Sequence, residues 1–516
     1  MSNIIILFIV MQVLNAICTW KLYRLAGYKA WAAAVPFYSA WILLKIIDRP
    51  WWWIILIYTP VVGCVMAFVI WTDMTRAFGY RSTMWVILSI VTLGLSLGYI
   101  SYMGQPVYDK EYRLHRQKLD SSVIGALTFA VVAASLIKTF TYEAFTIPTS
   151  SMEGSLLVGD FLFVNKMKYG SRIPMTPISA PLVHDSLPGM GIKSYIDGFS
   201  LPYMRMPALN DVKRGDIVVF NYPADNPKEK PIDKRANYVK RCIALPGDSI
   251  FIKNGYVTVN GEKQEWAAKA RPQWAHYLKY DKRISGELAA MGVEFAYTPI
   301  YDAATGKETS YVYISQEMLD EIKSMYPGII TRRLTMSLDE PSTLEDIFPD
   351  GRGFNIDNYG PLYIPKAGDV ITLSSENISQ YRDIISIYEG NTLTEQEDGT
   401  FVINGIETDS YTIKQNYYFM MGDNRHNSLD SRYWGYVPED HIVGSPAMIW
   451  MSLAADDGKT PFFKRIRWER VMSFPSGDGE LKSYLLHVAV GAIIVYGAST
   501  LYSRYKKKRS GKKNQK

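Results

Sequence analysis

Three hydroxyl side chains follow a rigid bend directly after an apolar stretch of the chain. Pro148 sets the bend, and Thr149, Ser150 and Ser151 come next. A cluster of this kind behind an apolar helix is by default a polar loop. It can supply a nucleophile only where a base lies within reach, because a serine hydroxyl reacts poorly until its proton is removed.

A basic pair interrupts an apolar run further along the chain. Lys240 and Arg241 lie within residues 238–244, just before a Pro-Gly-Asp turn. Adjacent side chains of a strand face opposite sides, so one of the two can be driven toward the core. The simpler interpretation is a lysine on the outer face of a half-exposed strand. The alternative is a desolvated amine whose pKa falls from ~10.4 to about 8, a change of ~3 kcal/mol.

A neutral lysine can accept the proton of a serine hydroxyl, which is the serine–lysine variant of the catalytic triad. A third segment is dense in polar side chains between two apolar strands, more than a turn requires. This density favours a hydrogen-bonded network that holds one geometry. The segment contains Gly422, Asp423, Asn424, Arg425, Asn427, Ser428, Asp430, Ser431 and Arg432.

Composition argues against several other classes of function. A net charge of +6 over 516 residues is mild, and the basic residues crowd into a tail behind an apolar segment. That pattern is typical of the cytoplasmic side of a membrane rather than of a nucleic-acid-binding face. The six histidines show no zinc-ligand spacing, so we expect no metal and no cofactor. Three cysteines allow no disulfide framework to be inferred.

Apolar runs predict the elements that hold these segments at a membrane, since a spanning helix needs ~20 apolar residues. The predicted spans are residues 4–20, 51–71, 84–102, 123–141 and 484–502. A sixth apolar run, 30–47, is interrupted by Pro36 and could span the membrane, re-enter it or lie at its interface.

Positive charges in short loops orient such a protein. The loop 104–120 carries Lys110, Arg113, Arg116 and Lys118, and the tail 504–516 is also basic, so both are predicted to be cytoplasmic. The intervening residues 143–480 are then predicted to lie outside the cytoplasm. The N-terminus starts outside if the run 30–47 does not cross, which we favour, and inside if it does.

The sequence between the last two predicted spans indicates a mainly-β domain. Short apolar runs cut by Gly, Pro, Asn and Asp indicate antiparallel strands in a barrel-like arrangement with α/β insertions. Hairpins are predicted over 252–262 and 398–407, around Asn-Gly or Asp-Gly turns. Residues 173–209 and 264–364 are predicted insertions on this domain, the second with a helix near 315–325. The expected organisation is a membrane domain (1–120), a transmembrane helix (121–142), the β-domain (143–480), a second transmembrane helix (483–503) and a basic tail (504–516).

Four of these segments resemble the motif boxes of type I (leader) signal peptidases. Residues 148–164 resemble the serine box, 214–223 the following strand box, 238–248 the lysine box and 422–435 the last box. Order and internal spacing agree, although the boxes together cover under a fifth of the chain. The resemblance implies a bacterial, membrane-anchored serine endopeptidase that removes leader peptides from exported preproteins after small residues of the Ala-X-Ala type.

The resemblance also implies roles for individual residues. Ser151 is the expected nucleophile and Lys240 the general base, and an acyl-enzyme forms and is hydrolysed. Thr149 and the Ser151 backbone N–H would hold the oxyanion. The remaining expectations are that Ser428 orients the lysine amine, Asp430 and Arg432 form a bracing ion pair, Gly422 keeps the backbone close, and Met152 lines a shallow substrate pocket.

Some features depart from that family. His426 replaces an acidic residue common in the last box, and at least four apolar segments precede the motifs. The segment through 49–60 resembles a small membrane domain fused to some bacterial signal peptidases, with no derivable role. Expected partners are preprotein signal peptides, the lipid bilayer of the bacterial cytoplasmic membrane and, through the membrane domain, protein-translocation machinery, but no nucleic acid.

Two alternatives stay open on the sequence. SOS repressors share the serine–lysine fold and cleave themselves, but they are soluble and carry a DNA-binding module, and this chain has neither trait. A membrane scaffold or transport component with a degenerate peptidase domain is the second alternative. Retention of both Ser151 and Lys240 argues against degeneracy.

Overall fold

The computed structural model describes residues 2–112, 123–337, 347–456, 458–476 and 481–513. The chain divides into two compact units. The first, here the helical unit, comprises Met1–Glu143, Gly170–Ala208 and Asp225–Ala236. The second, here the β unit, comprises Ala144–Tyr169, Leu209–Ala224 and Asn237–Lys516.

The helical unit is built from apolar helices around a buried cluster that includes Leu22, Leu44, Met74 and Ile100. Two 3₁₀ turns, Ala30–Ala33 and Ile232–Lys234, add to it. Its helices are α1 (Ser2–Leu25), α2 (Tyr38–Ile46), α3 (Trp53–Tyr58), α4 (Val62–Ala77), α5 (Thr83–Val91), α6 (Ser96–Tyr102) and α7 (Val123–Phe140).

Two helices within the described ranges are long and apolar enough to cross a membrane, Asn3–Leu25 and Leu485–Ser503. They coincide with the first and last predicted spans. The predicted span 123–141 does form a helix, but its apolar part, Gly125–Phe140, is shorter. The second half of the loop 104–120 that oriented the sequence prediction, including Arg113, Arg116 and Lys118, lies outside the described residues.

The predicted spans 51–71 and 84–102 are not single straight helices. The first is interrupted between α3 and α4, where Pro60 lacks a donor N–H and Val61 has a φ of 66°. The second bends by 119° between α5 and α6, where Leu93 has a φ of 50° and Gly94 a φ of 83°. Left-handed residues end a right-handed helix, and apolar composition alone does not reveal them.

The run 30–47 is likewise broken at its middle. Phe37, after Pro36, has a φ of 60° and separates the 3₁₀ turn from α2. Gln12 of α1 donates its Nε2 hydrogens to the Ala33 carbonyl at 3.0 Å and to the Ser39 hydroxyl at 3.1 Å. Such a side chain satisfies backbone that the helix break leaves without partners, as apolar surroundings require.

The first insertion packs within the helical unit and not on the β-domain, contrary to the prediction. The Val61 N–H donates to the Pro177 carbonyl at 3.0 Å, and the Lys138 amine donates to the Leu182 carbonyl at 2.9 Å. These contacts satisfy carbonyls of an irregular loop with groups from helix ends. Nothing in the local composition of 173–209 distinguishes the two locations.

The β unit contains most of the strands. Its seven-stranded sheet has the antiparallel order β1-β2-β21-β3-β4-β19-β20, and smaller sheets have the orders β13-β5-β6-β7, β10-β11-β8-β12, β14-β18 and β15-β16-β17. The strands are β1 (Tyr142–Thr146), β2 (Asp160–Asn165), β3 (Ile217–Asn221), β4 (Asn237–Ala244), β5 (Ser249–Lys253), β6 (Tyr256–Val259), β7 (Glu262–Lys263), β8 (Trp274–Asp281), β9 (Glu294–Phe295), β10 (Ile300–Asp302), β11 (Lys307–Ile314), β12 (Ile330–Arg333), β13 (Tyr359–Tyr363), β14 (Val370–Thr372), β15 (Leu393–Glu395), β16 (Phe401–Ile403), β17 (Ile406–Thr408), β18 (Ser410–Thr412), β19 (Tyr417–Met421), β20 (Val437–Pro438) and β21 (Ile442–Ser452).

The mainly-β fold class with helices apolar enough to span a membrane is confirmed. The nucleophile segment is itself a 3₁₀ turn, Ser150–Met152. The α-helices are α8 (Ser285–Ala290), α9 (Gln316–Met325), α10 (Ile378–Asp383), α11 (Ser431–Trp434), α12 (Phe462–Arg465) and α13 (Leu485–Lys513).

The predicted hairpins are confirmed. Lys253 pairs with Tyr256 and Ile403 pairs with Ile406 across two-residue turns. Asn254–Gly255 and Asn404–Gly405 occupy those turns, and all four residues have positive φ. Two consecutive left-handed residues define the type I′ turn, which matches the twist of the flanking strands.

The second insertion forms a sheet with its own buried cluster, which includes Leu278, Val312 and Ile322. The predicted helix is confirmed as α9, and the Ser315 hydroxyl caps it by accepting the Met318 N–H at 3.2 Å. The last strand of the insertion, β13, pairs with β5 outside it. The insertion is therefore tied at its end to the hairpin that follows the lysine segment.

Candidate active site

The hydroxyl cluster is held by backbone and amide contacts from residues 422–432, here called the polar loop. The Asn424 N–H donates to the Ser151 carbonyl at 3.1 Å, and its side chain donates to the Ser150 carbonyl at 3.2 Å. Asn427 donates to the Ser150 hydroxyl at 2.9 Å. The next residue, Met152, is fully buried in an apolar cluster and so anchors the turn in the core.

Lys240 lies on β4 between β3 and β19, and its amine reaches the nucleophile segment. The Lys240 Nζ donates to the Ser151 Oγ at 2.6 Å, and the residues are 4% and 8% exposed. Burial lowers the pKa of Lys240 to about 8, although the charges of Asp430 and Asp423 oppose this effect. When the amine is neutral, the hydroxyl can donate to it, which is the first step of serine activation.

Arg241, the next residue on β4, is buried as well, so the simpler interpretation of a lysine on the outer face of a half-exposed strand is wrong. Its Nε lies 2.7 Å from Asp423 Oδ1 and its Nη2 lies 2.5 Å from Asp423 Oδ2. The Ser155 hydroxyl donates to the same carboxylate at 2.6 Å. Although burial alone would raise the pKa of Asp423, the charge of Arg241 holds it below its usual range. Sequence reasoning missed the role of Ser155, because one serine among several carries no signal.

Asp430 and Arg432 form a second buried ion pair. The Arg432 Nε lies 2.9 Å from Asp430 Oδ1 and its Nη2 lies 2.8 Å from Asp430 Oδ2. Bidentate pairs of this kind restrict geometry in two directions. Asp430 also accepts the Gly422 N–H at 3.1 Å, and Arg432 donates to the Arg425 carbonyl at 2.6 Å. The pair thus connects both ends of the polar loop.

Gly422 occupies a position where a side chain has no room. A Cβ built there would lie 2.2 Å from the Ser428 Oγ and 2.5 Å from the Ser151 carbonyl oxygen. The absence of a side chain therefore permits the polar loop to approach Ser151 closely. Close approach of backbone is a common reason for glycine at such a site.

Three supporting residues differ from their expected geometry. The buried Ser428 hydroxyl has no hydrogen-bond partner among the residues that the structure describes, and the Lys240 amine bonds to Ser151 instead. Thr149 is exposed, and its hydroxyl makes no capping bond to the described 3₁₀ turn. Met152 has no accessible surface, so it supports the site from within the core and does not present a pocket wall.

A second Ser–Lys contact of the same length lies in the helical unit, so the distance alone does not identify a catalytic pair. The Lys234 Nζ donates to the Ser179 Oγ at 2.6 Å, and both residues are buried. Burial also lowers the pKa of Lys234. The pair at Ser151 differs in its surroundings, because two buried bidentate ion pairs and a close-approach glycine surround it.

Comparison with protein families matches more than half of the chain to one model. Residues 121–316 and 364–451 match the family described as "Signal peptidase, peptidase S26". The match omits 317–363, the later part of the second insertion. Residues 31–111 match a family of unknown function, DUF5684.

Individual relatives are similar over about two thirds of the chain. Signal peptidase I of Buchnera aphidicola subsp. Acyrthosiphon pisum is 28% identical over 338 residues, which cover 65% of this chain and 76% of that protein. For signal peptidase I of Pseudomonas aeruginosa the identity is 26% over 329 residues, covering 61% and 67%. For signal peptidase I of Helicobacter pylori it is 26% over 361 residues, covering 68% and 90%.

Proposed function

Because the chain belongs to the signal peptidase family, peptidase S26, we propose that it removes N-terminal signal peptides from exported preproteins with a serine–lysine dyad. The observation that carries the proposal is the 2.6 Å contact between the Ser151 hydroxyl and the Lys240 amine. A lysine with a pKa of about 8 has a neutral fraction at physiological pH that an ordinary lysine lacks, so it can act as a general base.

The proposed reaction is acyl transfer in two steps. Lys240 takes the Ser151 proton as the Oγ attacks the scissile carbonyl carbon, and the resulting ammonium protonates the leaving amine of the mature protein. The signal peptide is then bound to Ser151 as an ester. A water molecule, deprotonated by Lys240, attacks that ester, and the serine recovers its proton when the carboxylic acid leaves.

The oxyanion of each tetrahedral intermediate needs hydrogen-bond donors directed at it. We assign this role to the Ser151 backbone N–H and the Thr149 hydroxyl, which is exposed and unused by the adjacent turn. Ser428 is assigned to the lysine amine during the reaction, since its buried hydroxyl lies against Gly422 beside Ser151. Cleavage after small residues of the Ala-X-Ala type belongs to the same proposal.

The polar loop supplies the rigidity that the dyad requires. The Arg241–Asp423 and Arg432–Asp430 pairs are buried and bidentate, so each fixes its side chains in two directions. Effective catalysis needs reacting groups held within a fraction of an ångström of the productive geometry. These ion pairs therefore act on positioning and not on proton transfer.

The terminal apolar helices support anchoring in a membrane. We propose a multi-pass protein of the bacterial cytoplasmic membrane, with the β unit outside the cytoplasm and the basic tail 504–516 inside. The α1 helix ends with Arg24 in its last turn, which agrees with a cytoplasmic end there. A signal peptide is itself an apolar helix, so enzyme and substrate would share one bilayer.

The test is cleavage of a synthetic preprotein by the detergent-purified full chain. The wild-type protein is expected to release the mature protein with a new N-terminus after a small residue, and Ser151→Ala is expected to release none. Mass spectrometry of both products locates the scissile bond. Equal cleavage by the two proteins would contradict the proposal.

A further inference from the structure

The second insertion contacts the polar loop directly through its backbone. The Gln273 N–H donates to the Asp423 carbonyl at 2.8 Å, and the Arg425 N–H donates to the Gln273 carbonyl at 2.9 Å. Between these two residues, the Asn424 N–H donates to the Ser151 carbonyl at 3.1 Å. Residues 423–425 therefore lie between the nucleophile segment and the insertion, bonded to both.

His426, the departure from the family motif, adds a side-chain contact at the same place. Its Nδ1 accepts the Ala275 N–H at 2.9 Å, and its Nε2 lies 2.9 Å from Asp357 Oδ1. Because a backbone N–H occupies Nδ1, that nitrogen must be the acceptor and the ring proton of the neutral form lies on Nε2. The Nε2–H then donates to Asp357, so both nitrogens bind the insertion.

Asp357 is buried and has a second contact within the insertion. Its Oδ2 accepts the Met336 N–H at 2.9 Å. The preceding carbonyl, that of Ile356, accepts from Arg432 at 3.1 Å, and the Phe348 N–H donates to the Arg432 carbonyl at 2.9 Å. One end of the insertion thus meets His426 and the bracing arginine together.

We propose that His426 and Asp357 are a positioning pair through which the second insertion holds the polar loop against Ser151. The inference rests on the proposed function and deepens it, since it gives the insertion a role in the geometry of the dyad. An aspartate at 426 would bring a second carboxylate toward Asp357, whereas histidine donates to that carboxylate and accepts from Ala275. The hydrogen-bonding groups of His426 therefore complement those that the insertion presents to it.

The test compares variants that remove one contact or both. His426→Ala removes both. In His426→Asn the amide oxygen can replace Nδ1 toward Ala275, and in His426→Gln the amide nitrogen can replace Nε2 toward Asp357. For His426→Ala we expect kcat to fall about tenfold to a hundredfold with KM changed less than about twofold, because a misplaced catalytic group lowers the rate more than binding. The Asn and Gln variants are expected to recover part of that loss.

A second readout does not depend on activity. Peptide-level hydrogen exchange over 422–428 reports the Asn424 amide that bonds to Ser151, and its protection is expected to fall in His426→Ala. The matched control is His441→Asn, because His441 is buried, its Nδ1 lies 2.6 Å from Asp440 and its ring packs edge-on to Tyr388, residues that do not belong to the polar loop. The control is expected to leave both kcat and this protection within about twofold of wild type.

Unchanged exchange and unchanged kcat in His426→Ala would overturn the proposal, as would an equal loss of kcat in His441→Asn. If His426→Ala does not fold, Asp357→Asn provides the same comparison, since it keeps the size of the side chain but leaves one amide N–H facing a donor. A wild-type protein without peptidase activity would refute the proposed function alone, and the exchange measurement would still decide whether His426 couples the insertion to Ser151.

Discussion

The amine of Lys240 lies 2.6 Å from the hydroxyl of Ser151, although 89 residues separate them along the chain. Two buried ion pairs, Arg241 with Asp423 and Arg432 with Asp430, lie close enough for their charges to act on Lys240. The reactivity of the Ser151–Lys240 contact depends on one proton, because only the neutral amine can accept from the hydroxyl.

Removing either member of the dyad should abolish processing. Ser151→Ala and Lys240→Ala are each expected to lower kcat by at least about a thousandfold, since residues that act as a unit lose nearly all their effect when one is removed. The measurement is preprotein cleavage by purified protein, with circular dichroism to verify folding. Membrane insertion should be unchanged.

The chain offers its own control for that experiment. Ser179→Ala breaks a Ser–Lys contact of the same 2.6 Å length in the helical unit. We expect cleavage within about twofold of wild type for this variant. Full activity in Ser151→Ala or in Lys240→Ala would reject the assignment of that residue.

Activity should rise with pH as the lysine loses its proton. The pKa of Lys240 is lowered to about 8 by burial, so the neutral base is a minority below that pH and the majority above it. We expect log kcat/KM to increase with a slope near one up to about pH 8 and then to level off. Measurement of kcat/KM across this range at constant ionic strength checks the sign, and a flat profile would contradict Lys240 as the base.

A methyl group at Gly422 should disrupt the site. In Gly422→Ala the new Cβ would lie 2.2 Å from the Ser428 Oγ, so the polar loop must move away from Ser151. We expect a loss of ~1–3 kcal/mol in the free energy of unfolding, typical of overpacking, and a kcat lowered at least about tenfold.

Gly286→Ala is the matched control for that substitution. Its Cβ would meet nothing within 4 Å, and its φ is not in the left-handed region. Thermal unfolding and cleavage assays on both variants separate a local clash from a general effect of the methyl group. Equal behaviour of the two variants would show that the close approach at Gly422 is unimportant.

Reporter fusions should reveal the proposed topology. We expect a reporter that is active only in the cytoplasm to be active when fused after Lys516, and a reporter that is active only after export to be active when inserted near Gly353. The reason is that the basic residues of 504–516 follow the apolar part of the last helix, Leu485–Ser503. A cytoplasmic signal at Gly353 would place the β unit on the wrong side of the membrane for preprotein processing.

Local chemistry predicted the parts of this fold that depend on neighbouring residues. Asn-Gly pairs at 254–255 and 404–405 made type I′ hairpins because both residues tolerate positive φ. Ser315 capped the helix Gln316–Met325 because its hydroxyl accepts an otherwise unpaired N–H. The terminal apolar runs formed long helices because apolar surroundings require every backbone group to be satisfied within the segment.

Long-range packing decided what alternation and composition could not. Lys240 and Arg241 are both buried because β4 is enclosed between β3 and β19 and polar partners reach it from distant segments. Ser155 met Asp423, and His426 met Asp357, at separations that no local pattern encodes.

The sequence by itself therefore determined the family, the identity of the candidate nucleophile and base, and the local turns and caps, because these depend on residue type and short spacing. Only the tertiary structure decided that the Lys240 amine bonds to Ser151 and not to Ser428, that the first insertion packs with the helices, and that the second is hydrogen-bonded to the polar loop. Those outcomes depend on which distant groups satisfy one another's hydrogen bonds, and that choice is made when the chain packs.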